Sequence, residues 1–155
     1  MSLLDDVSLM ITPNGVAEDV LFGVLPTPTE GAEEVTNGDF TTDSDWTKGT
    51  GWTISGGTAN CDGSQSGNTD LTQIIATSVG KQYKITYTVS NYSAGTIKTR
   101  LSSGNTTAEQ SSNGTFTEII TAAGAGGFRL RGNSTFVGSV DNVSVKEYAI
   151  QPLDI

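Results

Sequence analysis

Gln82-Tyr83-Lys84-Ile85-Thr86-Tyr87-Thr88-Val89-Ser90 alternates without a break. Tyr83, Ile85, Tyr87 and Val89 fall on one side, and Lys84, Thr86 and Thr88 on the other. A period of two puts the aromatic and aliphatic set on a buried sheet face and the polar set in water. The same grammar runs outward from this stretch. Asn91-Tyr92-Ser93-Ala94-Gly95 reads as a turn into residues 96–101, where Ile97 and Leu101 face in while Lys98 and Arg100 face out. Residues 115–121 give a further strand. Residues 127–131 give another, with Phe128 and Leu130 in and Arg129 and Arg131 out. Upstream, residues 71–76 read as a strand. Gly51-Trp52-Thr53-Ile54 and Thr58-Ala59-Asn60-Cys61 flank Ser55-Gly56-Gly57, a hairpin turn in which glycine supplies positive φ. No segment sustains a period of 3.6. About eight to ten short strands predict an all-β, antiparallel two-sheet β-sandwich of the jelly-roll kind.

Two short segments bracket this pattern: Asn37-Gly38-Asp39-Phe40, running on to Trp46 and Trp52, and Val140-Asp141-Asn142-Val143-Ser144-Val145. They mark a first and a last strand that must meet to close the sandwich. Residues 134–148 read as a short strand followed by the closing one. The organisation expected is therefore an arm and linker over 1–33, a sandwich over 34–148 and a short tail over 149–155. In the arm, Leu3, Leu4, Val7, Leu9 and Ile11 form an apolar start that Pro13-Asn14-Gly15 ends with a turn signal. Pro26-Thr27-Pro28-Thr29-Glu30-Gly31 reads as extended linker, because successive X-Pro units disfavour helix. An arm of this kind cannot build its own core. It adds to the sandwich edge or docks on a neighbouring chain, and docking is the expectation.

Composition narrows the functions. The 155 residues carry a formal charge of −9, with 17 acidic and 8 basic side chains, and only 35% are hydrophobic. An acidic field repels phosphate backbones, so nucleic acid is not expected as a partner. No run is long and apolar enough for a membrane span, and the acidic first residues do not read as a secretory signal. Histidine is absent, which removes Ser-His-Asp triads, Cys-His dyads and histidine-rich zinc sites. A carboxylate pair could still hydrolyse a glycan, but nothing in the sequence gathers two carboxylates in an apolar cleft. A non-enzymatic protein needing no cofactor is the expectation. Cys61 is the only cysteine, so no intrachain disulfide forms, and burial is its ordinary fate.

The stretch from Glu34 to Tyr148 resembles the carbohydrate-binding-module-like jelly rolls of the family 4/9 type. Asn37-Gly38-Asp39-Phe40, Trp46, Gly51-Trp52-Thr53-Ile54 and Asp141-Asn142-Val143-Ser144-Val145 carry the likeness. Such domains recur in virion proteins of tailed bacteriophages, and the leader Ser2 to Gly15 resembles the N-terminal segment of fibre-type virion proteins. The resemblance implies a structural protein at the virion surface, a capsid decoration protein or a short head or tail fibre. Leu3, Leu4, Val7, Leu9 and Ile11 would fasten it to capsid or tail proteins. Apolar ends needing partners point to a homo-oligomer, with a trimer favoured. The alternative is a carbohydrate-binding module recognising a host-surface polysaccharide.

Sugar binding needs rings to stack on pyranose faces, with amides, carboxylates or guanidinium groups beside them. Trp52, Tyr83 and Tyr87 alternate with aliphatics and read as core. Trp46, in a polar loop, and Tyr92, in a turn, are the glycan-binding candidates. The resemblance also implies a structural calcium ion, with Asp39 and Asp141 at the matching positions and Asn37 assisting. The alternative role for both carboxylates is to accept from turn and strand-end amides. Lys98, Arg100, Arg129 and Arg131 point outward on neighbouring runs and form either a basic stripe for an acidic partner or a solvated face of ordinary cross-strand pairs.

Overall fold

The computed structural model describes residues 27–102 and 104–150. The arm positions Leu3, Leu4, Val7, Leu9 and Ile11 lie outside the described residues, as does the tail beyond residue 150. The sandwich is the compact unit Glu30–Tyr148.

Eleven strands and no helix occur among the described residues: β1 (Thr29–Glu33), β2 (Thr47–Lys48), β3 (Trp52–Ser55), β4 (Thr58–Asp62), β5 (Thr69–Gln73), β6 (Gln82–Ala94), β7 (Ile97–Leu101), β8 (Asn105–Thr106), β9 (Gly114–Thr121), β10 (Phe128–Gly132) and β11 (Val137–Ala149). They form two sheets. One has the order β3-β4-β11-β6-β9, with β1 also paired to β11; the other has the order β2-β5-β10-β7-β8. The all-β two-sheet sandwich read from the alternation is what the chain adopts.

The packing follows the period of two. Tyr83, Ile85, Tyr87 and Val89 point inward from β6 and are buried, facing Leu71, Ile97, Leu101, Phe128 and Leu130 from the second sheet. On the outer side of the first sheet, hydroxyls bond across strands, Thr86 to Thr117 at 3.1 Å and Thr88 to Thr115 at 2.9 Å. Gly56 and Gly57 connect β3 and β4 with φ of 64° and 75°. Two successive positive φ values make the two-residue turn whose twist suits a hairpin, and Ser55 pairs with Thr58 across it.

Two buried tyrosines make a test of the polar cost of this core. The Tyr83 hydroxyl accepts from the Ser78 amide at 2.9 Å, whereas the Tyr87 hydroxyl is buried with no hydrogen-bond partner. Burial also drives the Tyr87 phenol strongly upward in pKa, with the Glu118 charge adding to it. A lone buried hydroxyl forfeits its hydration for nothing. Tyr87→Phe is therefore expected to leave thermal stability unchanged or raise it, while Tyr83→Phe lowers it by about 1 kcal/mol. Paired melts of the two variants check the sign.

The opening and closing segments meet as expected. Glu34 N donates to Val145 O at 2.9 Å, and Val143 N donates to Gly38 O at 2.9 Å. In the return direction the Val143 carbonyl oxygen sits where a side chain on residue 38 would be, so only glycine allows this approach.

Three features differ from the sequence expectation. The stretch read as linker contains β1, whose five residues are all exposed. A strand held by backbone pairing to β11 leaves no apolar pattern to read. The turn expected at residues 91–95 lies inside β6. Three residues of β6, Asn91, Tyr92 and Ser93, run opposite one of β11, Gly138, between the pairs Val137–Ala94 and Ser139–Ser90. Asn91 absorbs the irregularity at φ 51°, so the strand bulges and continues through Tyr92. Residues 137–149 then form one strand instead of two.

Candidate functional site

The five-stranded sheet presents its polar side chains in register. β10 lies between β5 and β7, so each outward residue of β10 has a neighbour on either side. Arg131 faces Asp70 and Lys98, and Arg129 faces Thr72 and Arg100. β2 and β8 extend the second of these rows, because Thr47 pairs with Thr72 and Thr106 with Arg100. The result is a line, Thr47–Thr72–Arg129–Arg100–Thr106, crossing all five strands. At the usual strand separation it is about 19 Å long. Beneath it, Leu71, Leu130, Leu101 and Phe128 are fully buried, so a packed core fixes the backbone that spaces the row.

At the β2 end the row opens into a cleft of about 300 Å³ lined by Thr36, Asp45, Thr47, Thr72, Gln73 and Ile74. Gln73 builds its wall. The side-chain amide donates to Thr36 O at 2.8 Å and Asp45 O at 3.2 Å and accepts from Thr36 N at 2.8 Å. Ile74 stands at the rim, 89% exposed. It offers a small apolar surface beside the hydroxyls.

The electrostatics centre on Asp70. Arg131 grips its carboxylate with both ends of the guanidinium fork, Nε to Oδ1 at 2.7 Å and Nη2 to Oδ2 at 2.8 Å. This bidentate pair holds the Asp70 carboxyl below the usual range; burial opposes the shift, and the charges of Arg129 and Arg100 add to it. Arg129 Nη1 stands 3.8 Å from the same carboxylate. At the flanks, Lys98 pairs with Glu109 at 2.8 Å and Lys48 pairs with Asp43. The outward placement of Lys98, Arg100, Arg129 and Arg131 is thus as read from the alternation. Sequence alone did not show that they share one sheet in a single register, or that Asp70 sits among them.

The aromatic candidates fare differently. Trp46 does lie in a loop, but it is buried. Its indole N–H donates to Asn37 O at 3.0 Å and its ring packs on Phe40 and Phe128, with centroids 5.3 Å and 6.2 Å away. Both ring faces are spent in the core, which corrects the stacking role expected of it. Tyr92 is half-buried on β6, its ring against the core and its hydroxyl donating to Gly95 O at 2.9 Å. No aromatic side chain among the described residues is exposed.

Asp39 and Asp141 act locally. Asp39 accepts from the Thr41 hydroxyl at 3.4 Å, and Asp141 accepts from the Asn142 amide at 2.6 Å. Asn37 ties the same loop, donating to Thr42 O and Ser44 O at 2.8 and 3.1 Å. No group of three or more acidic, cysteine or histidine side chains gathers among the described residues. Both carboxylates thus take the local acceptor role that the sequence also allowed for them.

Gln73 and Gln65 are residues the sequence reading missed. Gln65 is buried and donates to Asn133 O at 3.1 Å and Phe136 O at 2.9 Å. A buried glutamine joining segments some seventy positions apart carries no local signal.

No protein-family model and no curated protein matches the chain. Among solved structures, the fold is similar to carbohydrate-binding modules. One, described as "CBM4 structure and function", aligns with a TM-score of 0.50 and 15% identity over 72% of this chain and 98% of its own. Another, described as "BiXyn10A CBM1 APO", aligns with a TM-score of 0.50 and 14% identity over 82% of this chain and 99% of its own. At such identities the likeness establishes the jelly-roll sandwich and not its ligand.

Proposed function

We propose that this chain is a non-catalytic polysaccharide-binding module that lays a glycan chain across the outer face of its five-stranded sheet. The observation that carries the reading is the unbroken row Thr47–Thr72–Arg129–Arg100–Thr106 leading into the Thr36–Ile74 cleft. A polysaccharide is a long ligand dense in hydroxyls. It needs a long, fixed array of donors and acceptors more than a deep pocket. Guanidinium groups offer several N–H donors in one plane, threonines both donate and accept, and a rigid sheet holds them without ordering cost. With no exposed ring among the described residues, recognition here is mainly polar. Two likenesses in fold to carbohydrate-binding modules support the reading. Mounting on a tailed-phage particle through residues 1–33 rests on the leader sequence, which lies outside the described residues; neither likeness in fold speaks for it.

Affinity electrophoresis through gels cast with a panel of neutral and acidic polysaccharides tests the proposal. Retardation in at least one gel is expected, and it is expected to weaken by about tenfold in affinity for Arg129→Ala. Unretarded migration throughout the panel would overturn the reading.

A further inference from the structure

We infer that the glycan is anionic, its carboxylate or sulfate groups seated on Arg129 between Thr72 and Arg100; this rests on the polysaccharide-binding reading above. All three arginines of a chain with net charge −9 lie on this one sheet face. An ordinary cross-strand lattice would place an acid opposite each of them. Arg131 has an acid on one side, Asp70, and takes both of its oxygens, with Lys98 on the other side. Arg129 does not. Its register partners are Thr72 on one side and Arg100 on the other, and like charges directly opposite destabilise a sheet.

The contrast with the lysines sharpens the point. Four of the five lysines hydrogen-bond a carboxylate, and the fifth, Lys146, stands 3.6 Å from Glu30. The guanidinium of Arg129 approaches the Asp70 carboxylate no closer than 3.8 Å, beyond hydrogen-bond reach, and its side chain is 38% exposed. Asp70 is occupied by Arg131, so the arrangement braces one arginine and leaves the planar donor fork of its neighbour directed to ligand. A planar fork matches a carboxylate or sulfate better than it matches a lone hydroxyl. The hydroxyls of Thr72 and Thr47 then continue toward the cleft, where the sugar ring bearing the anion, or the next one, finds polar partners and the methyl groups of Ile74.

The test is isothermal titration of the full chain with matched pairs: oligogalacturonate against its carboxyl-reduced form, and a sulfated galactan oligosaccharide against its desulfated form. The expected result is binding at least about tenfold tighter for the charged member of one pair, weakening with added salt. Whichever pair discriminates identifies carboxylate or sulfate as the recognised group. Arg129→Gln should abolish most of that preference, with little effect on the neutral member. Lys84→Gln, on the opposite sheet, should preserve the preference although it removes the same charge. Equal affinity for charged and neutral members overturns the anionic inference and leaves polysaccharide binding standing. Binding of neither member in either pair, together with unretarded migration in the gels, overturns both. A single-stranded oligonucleotide bound as tightly as the best glycan would also overturn the inference, because charge alone would then explain it.

Discussion

Gly38→Ala is expected to destabilise the sandwich by about 3–5 kcal/mol, lowering the melting temperature by roughly 10 °C. The new methyl would overlap the Val143 carbonyl oxygen, and neither side can yield cheaply. Gly38 is fixed by its own carbonyl, which accepts from Val143 N, and Val143 is fixed by that bond and by the pairing of β11 on either side of it, at Asp141 and Ser144. The chain at residue 37 is already held in the left-handed region at φ 52°, as is Phe40 at φ 49°, so the loop has little freedom left to absorb a shift. Gly67→Ala provides the control. A side chain there would meet nothing within 4 Å, and its melt should coincide with that of the parent. If the two variants melt together, the closure between opening and closing segments is not what makes residue 38 a glycine.

The second large effect is expected at Gln73. Gln73→Ala removes three hydrogen bonds at once and strands the Thr36 amide and carbonyl and the Asp45 carbonyl in partly buried positions. Leaving such groups unpaired costs more than the bonds were worth, and a loss of about 2–4 kcal/mol is expected. Gln73→Glu should behave almost as badly. A carboxylate can still accept from Thr36 N but cannot donate to the two carbonyls. Because the same amide forms the wall of the cleft, either variant should also weaken glycan retardation in gels run well below its melting temperature. Stability lost without any change in retardation would detach the cleft from the binding face.

Legibility in the sequence followed the range of the interaction. Facing was readable wherever a strand alternates: Tyr83 to Val89 inward, Lys98, Arg100, Arg129 and Arg131 outward. The β3–β4 hairpin was readable because two consecutive glycines encode their own turn. Pairing over distance was not. That Arg129 sits beside Arg100, with Asp70 next to Arg131, depends on β10 inserting between β5 and β7, and no local pattern states that order. Trp46 misled for the same reason. Its neighbours in sequence are polar, but Asn37 folds residues 37–46 so that the indole packs on Phe40 and Phe128. β1 was missed because exposed backbone pairing leaves no trace in hydrophobicity.

The position of β11 bears on how the molecule comes to be made. The last strand among the described residues is interior in its sheet, between β4 and β6. Until a ribosome has released residues 137–149, the β3–β4 hairpin and the β6–β9 pair have nothing to join them, and Gly38 has nothing to close against. Until then a nascent chain holds half-sheets with open edges, and closing the sandwich depends on contacts between segments distant in sequence. Production at low temperature, with holdase chaperones present to shield those edges, should raise the soluble yield more than any change to the finished surface.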